Sequence, residues 1–304
     1  MGTALRQASP AAEQIFLLAE RITDLPLRSL CDEGPLEELT RTSVAQVAVV
    51  VVSLAAAAHL REVVGGRPEA LAVAGHSVGE LAAYCWAGVL DEETTIRLVH
   101  ERGRLMERDS SQVDGTMVAV LNVDATALRG ICSEASARTG ASVEVANLNA
   151  PGQVVLSGER AAIAFASELA TAAGARRVIP LNVGGPFHSR YMEAAAHDFR
   201  DIVFWAELHQ PHTPIVLNST GEATTDPDAL RVELSRQITS PVRWEDSVHT
   251  LAKMGCSTFV ELGPGQVLAG LVRRTLPEAP TLSAGAPDAI VTAAALFLGA
   301  PSYL

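Results

Sequence analysis

Positive charge is scarce in this sequence. Its 23 lysine and arginine residues stand against 35 aspartate and glutamate residues, and Lys253 is the only lysine. The resulting net charge of −12 repels a phosphate backbone unless the cations are concentrated on one face. The composition therefore argues against a nucleic-acid partner.

Cysteine is also scarce. The four thiols form no CxxC pair and have no histidine at metal-ligand spacing beside them; they are Cys31, Cys85, Cys132 and Cys256. This spacing excludes a disulfide-stapled mini-protein and a structural zinc site. We expect reduced thiols in a cytosolic protein that holds no metal.

Long uninterrupted apolar runs are absent. The most membrane-like stretch, Val44 to Leu60, contains Gln46, Ser53 and His59 and is followed at once by charged residues. It is better interpreted as a buried core helix than as a membrane span. The first residues show no basic segment followed by an apolar segment and a small-residue cleavage site. We therefore expect a cytoplasmic protein with no membrane partner.

What the sequence does contain is a regular alternation of apolar runs and amphipathic stretches over 304 residues, 48 % of them hydrophobic. This alternation is typical of strands and helices that take turns around a mostly parallel sheet, so we predict an α/β protein. In the first third, the pattern predicts helices at 11–21, from Thr42 or Ser43 as N-cap to about 59, at 81–89 and at 92–108, and a strand at 70–75.

The stretch from Gly115 to Val183 has a different pattern. It predicts strands at 117–121, 143–148, 153–157 and 177–182 and helices at 125–137 and 160–173, in the order β-α-β-β-α-β of a ferredoxin-like unit. We predict that this unit, residues 115–183, is inserted into a larger α/β domain formed by 1–114 and 184–304, with the ligand site in the cleft between them. In the second part of that domain we predict strands at 215–218 and 258–261, a helix at about 228–237 and a Gly-Pro-Gly turn at 263–265.

The motif with the clearest chemistry is Gly75-His76-Ser77-Val78-Gly79, a G-x-S-x-G sequence. An apolar strand leads into it and a helix follows, which is the context of a nucleophile elbow. Small residues at 75 and 79 would permit a tight turn that exposes the Ser77 hydroxyl, and the Val78 amide would donate to an oxyanion. The alternative is a glycine-rich turn with an incidental serine.

A serine nucleophile needs a base, usually histidine. His188, in Gly184-Gly185-Pro186-Phe187-His188-Ser189, lies on a loop after a strand, where a catalytic base is expected. His76 is beside the serine, but neighbouring side chains at an elbow point apart. The remaining histidines lie in helical or polar connecting contexts; they are His59, His100, His197, His209, His212 and His249.

Arg102 belongs to a charged predicted helix, where an arginine normally faces solvent. If that helix borders the cleft instead, its guanidinium could hold a substrate carboxylate through two parallel hydrogen bonds. The pattern alone favours the solvent-facing alternative.

Taken together, these segments resemble the malonyl-CoA:acyl carrier protein transacylase family of fatty acid and polyketide synthesis. The resemblance extends over almost the whole chain and is carried by these segments in order: TSVAQ at 42–46, GHSVGE at 75–80, RGRLM at 102–106, NLNAPGQVVLSG at 147–158, GPFHS at 185–189, Gln237 with SPVRW at 240–244, and ELGPG at 261–265.

The resemblance implies an α/β-hydrolase-like core with a ferredoxin-like insert and a ping-pong reaction without metal or bound cofactor. Ser77 would be the nucleophile, His188 the general base and acid, and Arg102 the group that binds the malonyl carboxylate. The backbone carbonyl of Gln237 would orient the histidine in place of a triad aspartate. We also predict a pocket lined by His76, Met106, Asn149, Gln153 and Phe187.

Val78 and Phe187 resemble the malonyl-selecting type, whereas branched extenders tend to accompany Gln and Ser at those positions. Because one methyl group changes binding by only about 1 to 3 kcal/mol, methylmalonyl stays open. The partners implied are malonyl-CoA and an acyl carrier protein. Carrier proteins are usually acidic, so a local basic patch is expected; the candidates are Arg176, Arg177, Arg190, Arg273 and Arg274.

The chain departs from the family pattern at its start. Relatives begin with an apolar strand and a Gly-Gln-Gly-x-Gln loop that provides a second oxyanion donor, whereas this sequence opens at Met1-Gly2-Thr3-Ala4-Leu5. Loss of one such donor costs about 10² to 10³ in rate. A misassigned start, another segment that fills the gap and an impaired protein are all compatible with this departure. This departure motivates one alternative function, a homologue that only binds carriers. A separate alternative is an acyl hydrolase of carrier proteins.

Overall fold

A computed structural model describes residues 1–299 of the chain. Its strands are β1 Val73–Ala74, β2 Gly115–Leu121, β3 Val143–Ala150, β4 Gln153–Glu159, β5 Arg177–Pro180, β6 Ile215–Val216, β7 Ala223–Thr224, β8 Phe259–Leu262 and β9 Thr281–Ala284. Its helices are α1 Thr3–Ala8, α2 Pro10–Thr23, α3 Leu27–Glu33, α4 Leu36–Thr40, α5 Thr42–Val64, α6 Gly79–Ala87, α7 Glu92–Ser110, α8 Ala125–Thr139, α9 Arg160–Ala172, α10 Glu193–Phe204, α11 Pro227–Arg236, α12 Trp244–Lys253, α13 Val267–Thr275 and α14 Pro287–Phe297. The mixed α/β class predicted from the sequence is what the structure has.

The long apolar helix α5 forms the centre of the larger core. It packs against α2, α7 and α14, and most of its side chains are buried. Among residues 1–299 it is the one helix long and apolar enough to cross a membrane, but its burial identifies it as a core helix. The predicted cap at Thr42 or Ser43 is wrong, because Arg41 precedes the helix and no side chain caps it. The helix ends at Gly65, whose φ is +77°.

The strands of the larger part are short and fall into two sheets. In one sheet β1 pairs in parallel with β6, and β7 is antiparallel to β6; in the other, β8 pairs in parallel with β9. The predicted strands at 70–75 and 215–218 are only two residues long each. Leu71 lies at the surface, 61 % exposed, and the chain turns sharply at Gly75. At Asn218 the backbone N–H donates to the Glu80 side chain instead of to a strand.

Residues 115–180 form the second, smaller core. The strand order is β3-β4-β2-β5 with all neighbours antiparallel, so the predicted β-α-β-β-α-β order is correct. Helices α8 and α9 cover one face through a buried cluster that includes Val120, Leu128 and Leu156. The opposite face carries Met117 and Val155, which pack with Phe187.

The two cores meet where the carboxyl end of β3 approaches the segment before α12. There the Leu148 N–H donates to the Val242 carbonyl, and the Val242 N–H donates to the Ala146 carbonyl. The adjoining loops therefore bring residues from the elbow after β1, the end of β3, the loop after β5 and the segment after α11 close together. Helices α3, α4, α10, α12, α13 and α14 and strands β7 and β9 were not predicted.

Candidate active site

The turn between β1 and α6 presents Ser77 in an unusual backbone conformation. Ser77 has φ +51°, in the left-handed region that side chains other than glycine rarely adopt. A Cβ at Gly75 would lie 2.0 Å from the Gly79 carbonyl oxygen, so only glycine fits at position 75. Gly79 has open space around its Cα. Small residues at both positions are compatible with the turn, as expected, but the geometry requires glycine only at position 75.

His188 faces the serine hydroxyl from the loop after β5. Its Nε2 lies 2.7 Å from the Ser77 Oγ. Its Nδ1 lies 3.0 Å from the Gln237 carbonyl oxygen and 3.1 Å from that of Ser240. Since carbonyl oxygens only accept, Nδ1 carries the proton and Nε2 is free to accept the proton of Ser77.

The charge state of His188 agrees with this tautomer. Burial, reinforced by the positive charge of Arg102, lowers the pKa of His188 from 6.5 to about 3. The imidazole is therefore neutral at physiological pH and able to act as a base. His188 itself has φ +56°, so both members of the pair hold a left-handed backbone. No other histidine of the described chain contacts the Ser77 hydroxyl.

Arg102 completes the cluster from α7. Only 3 % of it is exposed, so the solvent-facing alternative is wrong. The guanidinium donates to the Gln46 Oε1 at 2.5 Å and the Gln237 Oε1 at 2.8 Å, and Nη2 lies 3.4 Å from the Ser77 Oγ. Burial lowers the pKa of Arg102 to about 10, which leaves it charged at pH 7.

Within residues 1–299, no carboxylate forms an ion pair with Arg102. A buried cation held by two neutral amides is costly to desolvate, and a carboxylate that binds beside it lowers that cost. The arrangement is therefore suited to a ligand that carries a negative charge close to the atom that Ser77 attacks.

Gln237 serves the cluster with both its backbone and its side chain. Its carbonyl accepts from His188, its Oε1 accepts from Arg102, and its Nε2 donates to the Ser77 carbonyl at 2.6 Å. The sequence indicated only the backbone contact. The Val78 N–H, by contrast, donates to no acceptor in the part of the chain that the structure describes, so it is available to an oxyanion.

The predicted pocket residues fall into two groups. The His76 Nε2 lies 2.8 Å from the Asn149 Oδ1, and the His76 ring packs on Trp244 with centroids 5.4 Å apart. Burial lowers the pKa of His76. Met106 accepts a hydrogen bond on sulfur from the Gln46 side chain and so lies beside the Arg102 partner.

Phe187 and Gln153 are placed differently. Phe187 is partly buried and packs against both cores, next to His188. Gln153 opens β4, and its side chain bonds to Arg274 at 3.4 Å rather than to any catalytic group. Within residues 1–299, Gln153 thus makes no hydrogen bond to the catalytic cluster.

Three contributors were missed as functional residues by the sequence analysis. Gln46 binds Arg102, Asn218 accepts from the Ser77 N–H, and Glu80 binds Asn218. A usable signal existed for Asn218 alone: it follows β6, which runs parallel to β1, so the residues after the two strands meet at one sheet edge. Within the described residues, no three His, Cys, Asp or Glu side chains converge to hold a metal ion.

The five candidate docking arginines also differ from one another. Arg190 is paired with Glu144. Arg274 donates to the Pro151 carbonyl at 3.2 Å, at the hairpin beyond Asn149. Arg177 is in register with Leu121, which in turn is in register with Gln153. Arg176 and Arg273 are adjacent in sequence to Arg177 and Arg274, and all four are exposed. Arg273 donates to the Thr281 Oγ1 of β9 at 2.7 Å.

Comparison with known proteins gives one consistent result. A family model described as an acyl transferase domain matches residues 1–293. The malonyl CoA-acyl carrier protein transacylase of Bacillus subtilis is 37 % identical over 95 % of this chain and 90 % of its own length.

Solved structures agree with the sequence relatives. The transacylase structure from Coxiella burnetii has a TM-score of 0.92 at 29 % identity and covers 98 % of this chain and 93 % of its own. A malonyl-transacylase solved in complex with a type II PKS acyl-carrier protein has a TM-score of 0.91 at 34 % identity and covers 96 % and 94 %.

Proposed function

This chain belongs to the acyl transferase family, among the malonyl CoA-acyl carrier protein transacylases, and from that premise we propose that it transfers a malonyl-type acyl group from CoA to the phosphopantetheine thiol of an acyl carrier protein. The observation that carries the proposal is the buried guanidinium of Arg102, which has no carboxylate partner in the described chain and lies 3.4 Å from the Ser77 Oγ. It provides the binding site for the free carboxylate of a malonyl group.

In the first half-reaction, the Ser77 Oγ attacks the thioester carbonyl carbon while His188 Nε2 takes the hydroxyl proton. The resulting imidazolium is stabilised by the Gln237 and Ser240 carbonyls on Nδ1. The Val78 N–H donates to the oxyanion. When the tetrahedral intermediate collapses, the carbon–sulfur bond breaks, His188 returns its proton to the leaving sulfur and the malonyl group remains on Ser77.

In the second half-reaction, the carrier's thiol takes the place of CoA. His188 removes the thiol proton, the sulfur attacks the serine ester, and the carbon–oxygen bond breaks as the proton returns to the Ser77 oxygen. Both halves are complete with the groups of this chain and its two substrates, so the reaction as proposed needs no metal and no bound cofactor.

Arg102 gives the site its preference for transfer of a dicarboxylic acyl group. Its two amide partners fix the guanidinium plane, so a bound malonyl carboxylate holds the ester carbonyl in one orientation. An acyl hydrolase has no need of that group. We expect Arg102→Ala to lower malonyl transfer by at least about 10²-fold and to favour acetyl over malonyl groups.

The decisive experiment is intact-mass measurement after the protein is mixed with malonyl-CoA. We expect a malonyl adduct that is absent in Ser77→Ala and that moves onto added carrier protein. An adduct that is lost to water at the same rate with and without carrier would indicate a hydrolase. The absence of any adduct would leave only carrier binding. Malonyl-CoA and methylmalonyl-CoA compared in the same assay test the selectivity assigned to Val78 and Phe187.

For the acidic carrier, we propose docking at four exposed arginines, Arg176 and Arg177 at the start of β5 and Arg273 and Arg274 at the end of α13. The patch adjoins the rim of the pocket through Arg274 and Pro151. Charge reversal at Arg273 and Arg274 should raise the KM for the carrier several-fold, with a weaker effect at high salt, and leave acylation by malonyl-CoA unchanged. Arg21→Glu, on α2, is the matched control, because α2 packs against α1, α3, α5 and α7 and not beside the elements that carry these arginines.

The finer architecture is also a proposal. Residues 1–114 and 184–304 would form an α/β-hydrolase-like domain, supported by the parallel pairs β1–β6 and β8–β9 and by the elbow between β1 and α6. Residues 115–183 would form a ferredoxin-like subdomain, supported by the strand order β3-β4-β2-β5. The catalytic groups come from the first unit, and Asn149 of the second borders the pocket.

A further inference from the structure

A buried amide that the catalytic steps do not use bridges the two sides of the nucleophile turn. Asn218 is 1 % exposed. Its Oδ1 accepts from the Ser77 N–H at 2.7 Å, and its Nδ2 donates to the Gly75 carbonyl at 2.7 Å. The side chain therefore satisfies one donor and one acceptor of the tight turn that no strand or helix bond reaches.

The orientation of this amide is set by a second buried group. The Glu80 Oε1 accepts from the Asn218 backbone N–H at 2.9 Å and from its Nδ2 at 3.2 Å. Because Glu80 offers an acceptor on that side, the amide nitrogen faces Glu80 and Gly75, and the amide oxygen faces Ser77. Glu80 lies in the first turn of α6, so the helix that follows the nucleophile holds the residue that supports it.

The hydrogen bond from the Ser77 N–H to Asn218 matters because Ser77 has a left-handed backbone conformation. A serine with φ +51° persists only where the surrounding structure holds it there. The Asn218 bond fixes the peptide group before Ser77, and the Gln237 Nε2 bond to the Ser77 carbonyl fixes the peptide group after it. The second peptide also contains the Val78 N–H. Two side-chain amides thus clamp the backbone on both sides of the nucleophile.

We propose that Asn218 is a positioning residue that holds Ser77 in its left-handed conformation, and so keeps the hydroxyl in reach of His188, with Glu80 setting the orientation of Asn218. The proposal rests on the proposed function only in that Ser77 is the nucleophile. Removal of the amide lets the turn relax, which lengthens the 2.7 Å contact between Ser77 and His188 in most molecules.

The test uses a fluorophosphonate, which reports on Ser77 independently of malonyl recognition. The serine oxygen bonds to phosphorus, the phosphorus–fluorine bond breaks, fluoride leaves and His188 receives the proton. The saturating labelling rate and the half-saturating concentration are measured separately, with Ser77→Ala as the blank. We expect Asn218→Ala to lower the saturating rate at least tenfold with little change in the half-saturating concentration, because the chemistry and not the pocket is disturbed.

Two further variants separate positioning from loss of stability. Glu80→Ala should slow labelling as well, and Glu80→Gln, which restores an acceptor oxygen, should recover most of the rate. Asp109→Asn is the matched control: Asp109 is another buried carboxyl group, which accepts from the Ala195 N–H of α10 and bonds to no catalytic group. We expect it to label at the wild-type rate. If Asn218→Ala does not fold, Asn218→Ser is measured in its place.

The proposal is overturned if Asn218→Ala labels as fast as the wild type, or if Asp109→Asn is slowed as much as Asn218→Ala. A wild-type protein that resists the probe contradicts both this inference and the proposed function. A wild-type protein that reacts with the probe but takes up no malonyl group contradicts the proposed function alone, and the positioning test still stands.

Discussion

The antiparallel sheet of β2 to β5 and the cluster around Ser77 differ in how they treat charge and backbone strain. In the sheet, the buried side chains are apolar except Asn147 and Ser157, and neither of these is ionisable. The cluster that includes Val120, Leu128 and Leu156 is entirely apolar. In the catalytic cluster, Arg102, His188 and Glu80 are each at most 3 % exposed. Ser77 and His188 are also two of the four residues other than glycine with positive φ in the described chain.

The difference shows which interactions hold each region. In the sheet, strand pairing, the alternation of apolar and polar residues, and burial all favour the same structure. The sheet therefore needs no side-chain hydrogen bonds from distant segments. In the catalytic cluster, ionisable and strained groups are held by side-chain bonds from separate segments: Gln46 of α5, Asn218 after β6 and Gln237 after α11. Strand pairing and apolar burial therefore hold the sheet, whereas side-chain hydrogen bonds between separate segments hold the catalytic cluster.

The largest expected effect on rate comes from a substitution in the catalytic cluster. We expect His188→Ala to slow acylation of Ser77 by about 10³- to 10⁴-fold, because the serine loses its general base. Stopped-flow release of CoA from malonyl-CoA measures this step. His197→Ala, which removes an exposed histidine from α10, is the control and should leave the rate unchanged.

The same variant has a consequence for stability. The pKa of His188 is about 3 in the folded protein and close to 6.5 in the unfolded chain, so below pH 6.5 the unfolded state binds more protons. Folding free energy is therefore lost as pH falls from about 6.5 towards 3, and His188→Ala should remove that loss. A wild-type protein whose stability does not change between pH 7 and pH 5, relative to the variant, would contradict a buried neutral histidine.

The contrast between the regions also explains what could be predicted from sequence. The strand and helix order of residues 115–180 could be predicted because local periodicity decides it. Ser77 could be found for a similar reason, since its motif is local. Arg102 could not be placed from its helix alone, because the pattern of α7 does not show that Gln46 and Gln237 receive its guanidinium.

Asn218 marks the limit of such reasoning. Its partners are 141 residues away at Ser77 and 138 away at Glu80, so no local pattern connects them, and the one available signal is the parallel pairing of β1 with β6. The lengths of β1 and β6 were overestimated for a related reason. Both strands end after two residues, and the backbone beyond them forms hydrogen bonds with side chains that are distant in sequence.

A substitution in the core of the sheet tests whether the catalytic cluster depends on the packing of that sheet. Leu156 is fully buried at the centre of β4, and Leu156→Ala should lower the free energy of unfolding by about 2 to 5 kcal/mol through lost burial and a cavity. Urea unfolding at pH 7.5 measures the loss. The acylation rate of the folded protein should stay within about twofold of wild type. A rate that falls with the stability would show that the catalytic cluster depends on the packing of the sheet.

The smallest expected effect is the contribution of Glu80 to the pH dependence of the free energy of unfolding. It tests whether the Glu80 carboxyl group is neutral in the folded protein. Burial, followed by the nearby Glu233 carboxyl, raises the pKa of Glu80 well above its usual value of 4.5. The folded protein therefore retains a proton that the unfolded chain releases above pH 4.5, so Glu80 contributes less stability as pH rises above that value. The slope for one proton is at most about 1.4 kcal/mol per pH unit.

Glu80→Gln should remove this slope, so the variant gains stability over the wild type between pH 5 and pH 8. Urea unfolding at each unit of pH gives the difference curve, and Glu168→Gln, which removes an exposed carboxyl group from α9, controls for the loss of one acidic group. A difference curve that is flat across this range would mean that Glu80 is ionised in the folded protein. Glu80 would then offset the charge of Arg102, and the cluster would resemble an ordinary buried ion network more than a cation left free for its substrate.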